Sequence, residues 1–78
     1  MSNAIDNIEA TKAAYKGIQE AQARAQAEYD AAVARGDEAS AEMWKNTLNT
    51  LNEEMNAAQE NMLSAWEDAL NAVVEQFE

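Results

Sequence analysis

The sequence predicts an all-α protein, an antiparallel two-helix hairpin that is coiled-coil-like and carries a C-terminal helical overhang. The 78 residues contain no Pro and two Gly, while the strong helix formers Ala, Glu, Gln, Lys and Met dominate the composition. Apolar residues recur at alternating spacings of three and four, which is the coiled-coil period. One Gly-Asp pair, Gly36-Asp37, separates two helical arms. These observations predict a single domain over residues 1–78.

The first helix is predicted over about 6–35. Its start is indicated by Asp6-Asn7-Ile8-Glu9, which fits a capping box with Asp in the capping position, so residues 1–5 are expected to fray. A thin heptad stripe, interrupted by Gln22, predicts the face that packs on the second helix. The larger core members of this stripe are Ile8, Tyr15, Ile18 and Tyr29, and the smaller ones are Thr11, Ala25 and Ala32.

A glycine lies in the middle of the first helix. Gly17 destabilises that helix by about 1 kcal/mol relative to Ala. The residue is therefore either a point of close contact or tolerated weakness, or a hinge that separates the N-terminal segment from the hairpin.

The turn is predicted at Arg35, Gly36 and Asp37. Gly suits the left-handed position that ends a helix, and Asp is a strong N-cap for the next helix. Arg35 complements the negative end of the first helix dipole. The same residues spell the tripeptide that integrins recognise, but capping accounts for each of them separately. Such a short connection makes the two helices antiparallel neighbours.

The second helix is predicted over about 38–77, and it carries two apolar stripes. The first stripe supplies the other half of the hairpin core and includes Ala58, Ala65, Ala69 and Ala72. Its larger members are Trp44, Leu48, Leu51, Met55 and Met62. The second stripe begins at Leu63 and continues beside the first, with Val74 adjoining it. The members of the second stripe after Leu63 are Trp66, Leu70, Val73 and Phe77.

The two arms are unequal in length. Folding the chain at Gly36 leaves roughly the last eight residues without an intramolecular partner, or about 12 Å of helix. An exposed apolar patch at a free helix end marks an interaction site. The sequence therefore predicts an assembly or partner interface, which consists of Trp66, Leu70, Val73, Val74 and Phe77.

The composition argues against an enzyme, a cofactor site or a metal site. Without Cys or His the chain has no thiolate or imidazole chemistry. Its acidic pairs Asp37-Glu38, Glu53-Glu54 and Glu67-Asp68 are adjacent in sequence, and helical neighbours point about 100° apart, so these pairs do not converge on a metal. We therefore expect no catalytic residues, no cofactor and no small-molecule substrate.

The charge distribution narrows the partners further. The formal net charge is −10, and from Asn46 to Glu78 there are seven acids and no Lys or Arg. Nucleic acid is therefore an unfavourable partner, because phosphate binding needs clustered positive charge. The sequence has no apolar run long enough for a membrane span and no stretch that fits a cleavable signal. The expected partners are the chain itself, in a homo-oligomer or filament, or a helix of another protein.

The C-terminal half resembles the needle-filament subunits of bacterial type III secretion systems. Residues Asn56–Asn61 are similar to the Asn-Ala-Gln-Ser-Asn run of that family, and Ala72–Phe77 to its apolar-apolar-x-Gln-Phe ending. Trp44 and Leu48 match an aromatic residue and a Leu early in its second helix. The chain departs from the family in lacking Pro at the turn and in carrying acids, Glu67-Asp68, before the tail.

The resemblance implies a helical homopolymer whose C-terminal helix lines a narrow channel, exported without a cleavable signal to the cell surface or beyond. The family's tail residues carry over to Val73, Val74, Gln76 and Phe77. The same hairpin, with Arg35-Gly36-Asp37 followed by a Trp, also resembles the small cytosolic chaperones that hold needle subunits. The alternative is therefore a small acidic adaptor or chaperone, located in the cytoplasm, that binds a partner helix.

Overall fold

The fold is an antiparallel helical hairpin, which confirms the predicted fold class. A computed structural model describes residues 3–77, and within them helix α1 covers Asn3–Arg35 and helix α2 covers Glu38–Phe77. The molecule measures 63 × 18 × 12 Å, as expected for two long helices lying side by side. The helices have 33 and 40 residues, so α2 is longer by about 10 Å.

Helix α1 begins earlier than the capping box predicted. It starts at Asn3, which places Asp6 inside the first turn rather than at the cap. An acidic residue in the first turn is stabilised by the helix dipole without serving as the cap, so the segment from Asp6 to Glu9 fits either position. The expected fraying of residues 1–5 is therefore wrong for residues 3–5, while Met1 and Ser2 lie outside the described residues.

The turn between the helices has the predicted chemistry. Gly36 adopts a φ of 72°, its N–H donates to the Val33 carbonyl at 3.0 Å, and the N–H of Asp37 donates to the Ala32 carbonyl at 2.9 Å. These two bonds form a Schellman motif, which satisfies carbonyls at the end of α1. The Arg35 Nη2 atom lies 3.8 Å from Asp37 Oδ2, and both side chains are partly exposed to solvent.

The seam between the helices is narrow, and its most deeply buried positions are mostly alanine. The buried residues are Ala25, Ala32, Met55, Ala58 and Ala65. The larger residues that the sequence assigned to the hairpin core are half-buried, Met55 excepted. These are Ile8, Tyr15, Ile18, Tyr29, Trp44, Leu48, Leu51 and Met62.

The last predicted member of the α2 seam does not join it. Ala72 is exposed, because α1 begins at Asn3 and reaches only as far as the level of Ala69. From position 70 to position 77 every residue of α2 is exposed. The end of α2 therefore projects beyond α1, as the unequal arms predicted.

Gly17 lies within the unbroken helix α1 and is exposed. A Cβ atom added at this position would meet no heavy atom within 4 Å. The interpretation of Gly17 as a point of close contact is therefore wrong, and no packing constraint requires glycine there.

Candidate assembly interface

The exposed large apolar residues concentrate at the open end of the hairpin, opposite the turn. On α2 they follow the seam positions at an offset of one residue, so they form a second stripe beside the seam. The exposed fraction is 51% for Trp66, 60% for Leu70 and 85% for Phe77. We call the following set the open-end patch: Ile5, Leu63, Trp66, Leu70, Val73 and Phe77.

Helix α1 contributes Ile5 to this patch. A groove of about 490 Å³ is lined by Lys12, Tyr15 and Lys16 of α1 together with Met62 and Trp66 of α2, so Trp66 lies on the same side of the hairpin as Lys12. Ile5 precedes Lys12 by seven residues and therefore shares its side of α1. At 57% exposure, Ile5 extends the apolar surface across both helices.

Two patch residues were absent from the predicted interface. Ile5 was missed because residues 1–5 were expected to fray, although the helix in fact starts at Asn3. Leu63, which is 62% exposed, was recognised in the second stripe but not carried into the interface. The 3–4 spacing was the signal that would have included Leu63, whereas nothing in the sequence placed Ile5 beside α2.

Val74 stands apart from the other predicted interface residues. Although it is 56% exposed, it follows Glu67 by seven residues and so lies on the outer edge of α2, not in the stripe. Three glutamates continue that edge toward the turn and are exposed. We call them the acidic row: Glu53, Glu60 and Glu67.

The second stripe on α2 becomes polar toward the turn. The positions that precede Leu63 at the same spacing are amides, all exposed on α2. This amide segment consists of Asn49, Asn52, Asn56 and Gln59. A groove on the same side is lined by Gln22 and Gln26 of α1 with Asn49 and Asn52. On this side of the hairpin α2 is thus rich in amides near its middle and apolar at its open end.

The other side of the hairpin has a separate groove. It measures about 600 Å³ and is lined by Ala21, Arg24 and Glu28 of α1 with Trp44 and Leu51 of α2. The two tryptophans therefore face different grooves, Trp44 near the turn and Trp66 near the open end.

The charged side chains of the described residues form few ion pairs with one another. Arg35–Asp37 is the ion pair found within residues 3–77, so Lys12 and Lys16, which border the Trp66 groove, have no carboxylate partner in that range. No group of three or more acidic side chains in residues 3–77 is arranged to hold a metal ion. Across the same range, neither helix contains a segment apolar and long enough to cross a bilayer.

Comparisons of the chain with protein-family models, with curated protein sequences and with solved structures found no match. Assignment of a function therefore depends on the geometry of the hairpin and on the residues quoted above.

Proposed function

We propose that the chain is a non-enzymatic structural protein that self-assembles through its helices. The observation that carries this proposal is that the buried positions of the hairpin are mostly alanine, while large apolar side chains are exposed at its open end. The buried seam contains four alanines and Met55, while the open-end patch leaves half or more of each large side chain in water. Association would cover large apolar side chains that the folding of a single hairpin leaves in water.

The energetic argument follows from the two-helix architecture. A domain is stable when its layers cover each other around a common core, and a single seam between two helices leaves its larger residues only half-buried. Burying a side chain such as Trp66 or Leu70 contributes about 1.5–3 kcal/mol. Covering the open-end patch with another molecule would therefore supply the burial that the seam lacks.

A helical filament of the needle type is the form of assembly that the sequence resemblance favours. The supporting residues are the amide-rich run Asn56–Asn61 and the apolar ending Ala72–Phe77. The projection of α2 beyond α1 agrees with a subunit whose C-terminal helix contacts its neighbours. Such a subunit would be exported without a cleavable signal and would act at the cell surface.

A second candidate is a small acidic adaptor or chaperone. The groove lined by Ile8, Tyr15, Met62 and Trp66 is apolar and lies between two helices, which is the kind of surface that receives an amphipathic partner helix. In that case the protein would act in the cytoplasm, and the open-end patch would bind a client and not a copy of itself.

The concentration dependence of assembly separates these two functions. We would measure sedimentation velocity of the purified chain from micromolar to millimolar concentration, and examine the concentrated sample by negative-stain microscopy. Self-assembly predicts association without a partner, and filaments of uniform width would support the needle form. A monomer that persists at millimolar concentration would contradict the proposed function and favour the adaptor.

A matched pair of variants tests whether the open-end patch is responsible. Leu70→Asp places a charge in the patch, whereas Met43→Asp places one at a site 54% exposed near the turn, outside the patch. Both residues are largely exposed, so both variants should keep the helical content of the parent. We expect Leu70→Asp to abolish association and Met43→Asp to retain it.

A further inference from the structure

The α2 residues of the open-end patch are spaced so that the patch can pack against the same patch of a second copy. Its α2 members are spaced by three and four residues from Leu63 to Phe77, as in a short coiled-coil seam. In an antiparallel pair of such seams, Leu70 of one helix lies beside Val73 of the other. Trp66 then lies beside Phe77 on each side of that central layer. Every large side chain of the stripe from Trp66 to Phe77 meets an apolar neighbour in this register.

Helix α1 of another copy does not offer an equivalent cover. On the side of the hairpin that carries the patch, α1 presents Glu9, Lys12 and Lys16, all exposed. Covering the patch with α1 of another copy would bury these charged groups against Trp66, which is unfavourable.

Charge selects the antiparallel orientation of the two α2 helices. In a parallel pair the C-terminal ends of the two α2 helices, neither of which carries a basic residue in its last turn, would lie side by side. In the antiparallel pair Glu67 lies beside Val74 of the second copy, while Glu53 and Glu60 fall outside the overlap. Like charges placed directly opposite each other are destabilising.

The ends of the overlap are also electrostatically complementary. The last turn of α2 contains no basic residue, so its negative dipole end is uncompensated within the helix. In the antiparallel register this end approaches the side of the other copy that carries Lys12 and Lys16. Those two lysines have no carboxylate partner among residues 3–77.

On these grounds, and building on the proposed self-assembly, we propose that the open-end patch binds a second copy of this chain across a two-fold axis near Leu70 and Val73. The two α2 ends overlap antiparallel, and the turns point in opposite directions. If each half-exposed side chain leaves about 100 Å² to cover, the four per copy that lie within the overlap (Trp66, Leu70, Val73 and Phe77) give about 800 Å² in total, which is the size of a weak, reversible interface.

This contact is isologous, so it closes at two copies. The dimer would be a rod, since two molecules 63 Å long that overlap over about 20 Å of helix span roughly 105 Å. Growth into a filament would then use other surfaces of the dimer, such as the groove that contains Trp44.

Spin labels on single cysteines test the register, because the chain has no cysteine of its own. Asn71→Cys places a label beside the proposed axis, and Ala39→Cys places one near the turn. With helices about 10 Å across, the proposed dimer holds the two Asn71 labels within about 20 Å of each other and the Ala39 labels far beyond 60 Å. Two Ala39 labels about 20 Å apart would instead show hairpins side by side and overturn the proposal.

The substitution Val74→Lys provides an independent test of orientation. In the antiparallel dimer the new lysine lies beside Glu67 of the second copy, and two such surface pairs should tighten the dimer by about threefold to tenfold. The additional change Glu67→Gln should remove this gain. In a parallel dimer position 74 lies on the opposite side of the pair from Glu67 of the second copy, so Glu67→Gln would not reverse the effect of Val74→Lys. A monomeric parent chain would contradict self-assembly itself, whereas a dimer in which Glu67→Gln leaves the effect of Val74→Lys unchanged would contradict only the orientation.

Discussion

The carboxylate of Asp37 accepts a hydrogen bond from the backbone N–H of Ser40 at 3.1 Å, through its Oδ1 atom. The N–H of Asp37 meanwhile donates to the carbonyl of Ala32, at the end of the preceding helix. Asp37 therefore closes α1 with its backbone and caps α2 with its side chain. Two helices are joined with two intervening residues because one residue performs both tasks.

This cap predicts a specific pH dependence of stability. Hydrogen bonds from Ser40, through its side chain and its backbone N–H, lower the pKa of the Asp37 carboxyl below its ordinary value of 3.8. Because the folded pKa lies below the unfolded one, the stabilisation is fully present above the unfolded pKa and is lost as the pH falls through the folded pKa. We expect this contribution to disappear at pH values below 3.8.

The variant Asp37→Asn isolates that contribution, since Asn caps helices about as well as Asp but does not titrate. The urea midpoints of the parent and the variant should differ by a constant amount at neutral pH and converge in acid. Because the other carboxylates titrate equally in both proteins, their effects cancel in the comparison. A difference that stays constant down to pH 2.5 would contradict the role assigned to the Asp37 carboxylate.

Gly36→Ala should destabilise the hairpin. Gly36 adopts a φ of 72°, and an L-residue with a side chain is disfavoured there by about 1–2 kcal/mol. The added Cβ would meet nothing within 4 Å, so the strain arises from the backbone and not from crowding. Urea unfolding followed by circular dichroism measures the loss. Gly36→Asn is the control, since Asn tolerates the left-handed region and should be less destabilising than Ala.

The sequence was sufficient to predict the hairpin because its signals are local. Gly36-Asp37 specifies a helix end and a cap within two residues, and the 3–4 spacing identifies the faces that meet. The start of α1 was not predictable, since Asp6 is compatible with both a cap and a first turn. Here the continuation of the helix to Asn3 places Ala4 beside α2 in a half-buried position, and tertiary packing decides between the two.

Gly17→Ala should stabilise the protein. Gly17 lies in an exposed helical position where a Cβ would contact nothing within 4 Å, and replacing Gly by Ala in a helix interior is worth about 1 kcal/mol. The urea midpoint should therefore rise. Ala14→Gly, at another exposed position one turn away, is the matched control and should lower it. A variant Gly17→Ala that is more stable yet fails to assemble would support the hinge interpretation.

The candidate interface was predictable only in part. The unequal arms and the second stripe indicated an exposed end of α2, and Trp66, Leu70, Val73 and Phe77 all lie there. Sequence spacing alone does not fix how the two helices are rotated relative to each other. This rotation determines on which side of the hairpin the second stripe lies. The structure resolves it through Trp66, which shares a groove with Lys12 and so brings Ile5 into the same patch.

Truncation after Asn71 should separate folding from assembly. It removes Val73 and Phe77 but keeps the seam, whose last half-buried position is Ala69. We expect the shortened chain to retain its helical content per residue and to sediment as a monomer where the full chain associates. Association of both chains to the same extent would show that the overhang is dispensable.

Lys12→Glu should weaken association, because the proposed dimer brings the negative end of a second α2 toward Lys12. Arg24→Glu is the control: it changes the net charge equally but lies in the groove on the other side of the hairpin. We expect Lys12→Glu to raise the dimer dissociation constant about threefold to tenfold more than the control at low salt.

The difference between the two variants should shrink as added salt screens exposed charges. Sedimentation equilibrium at two ionic strengths measures both effects. Equal weakening by the two variants would attribute the loss to general repulsion between acidic chains, and would remove the lysine from the interface.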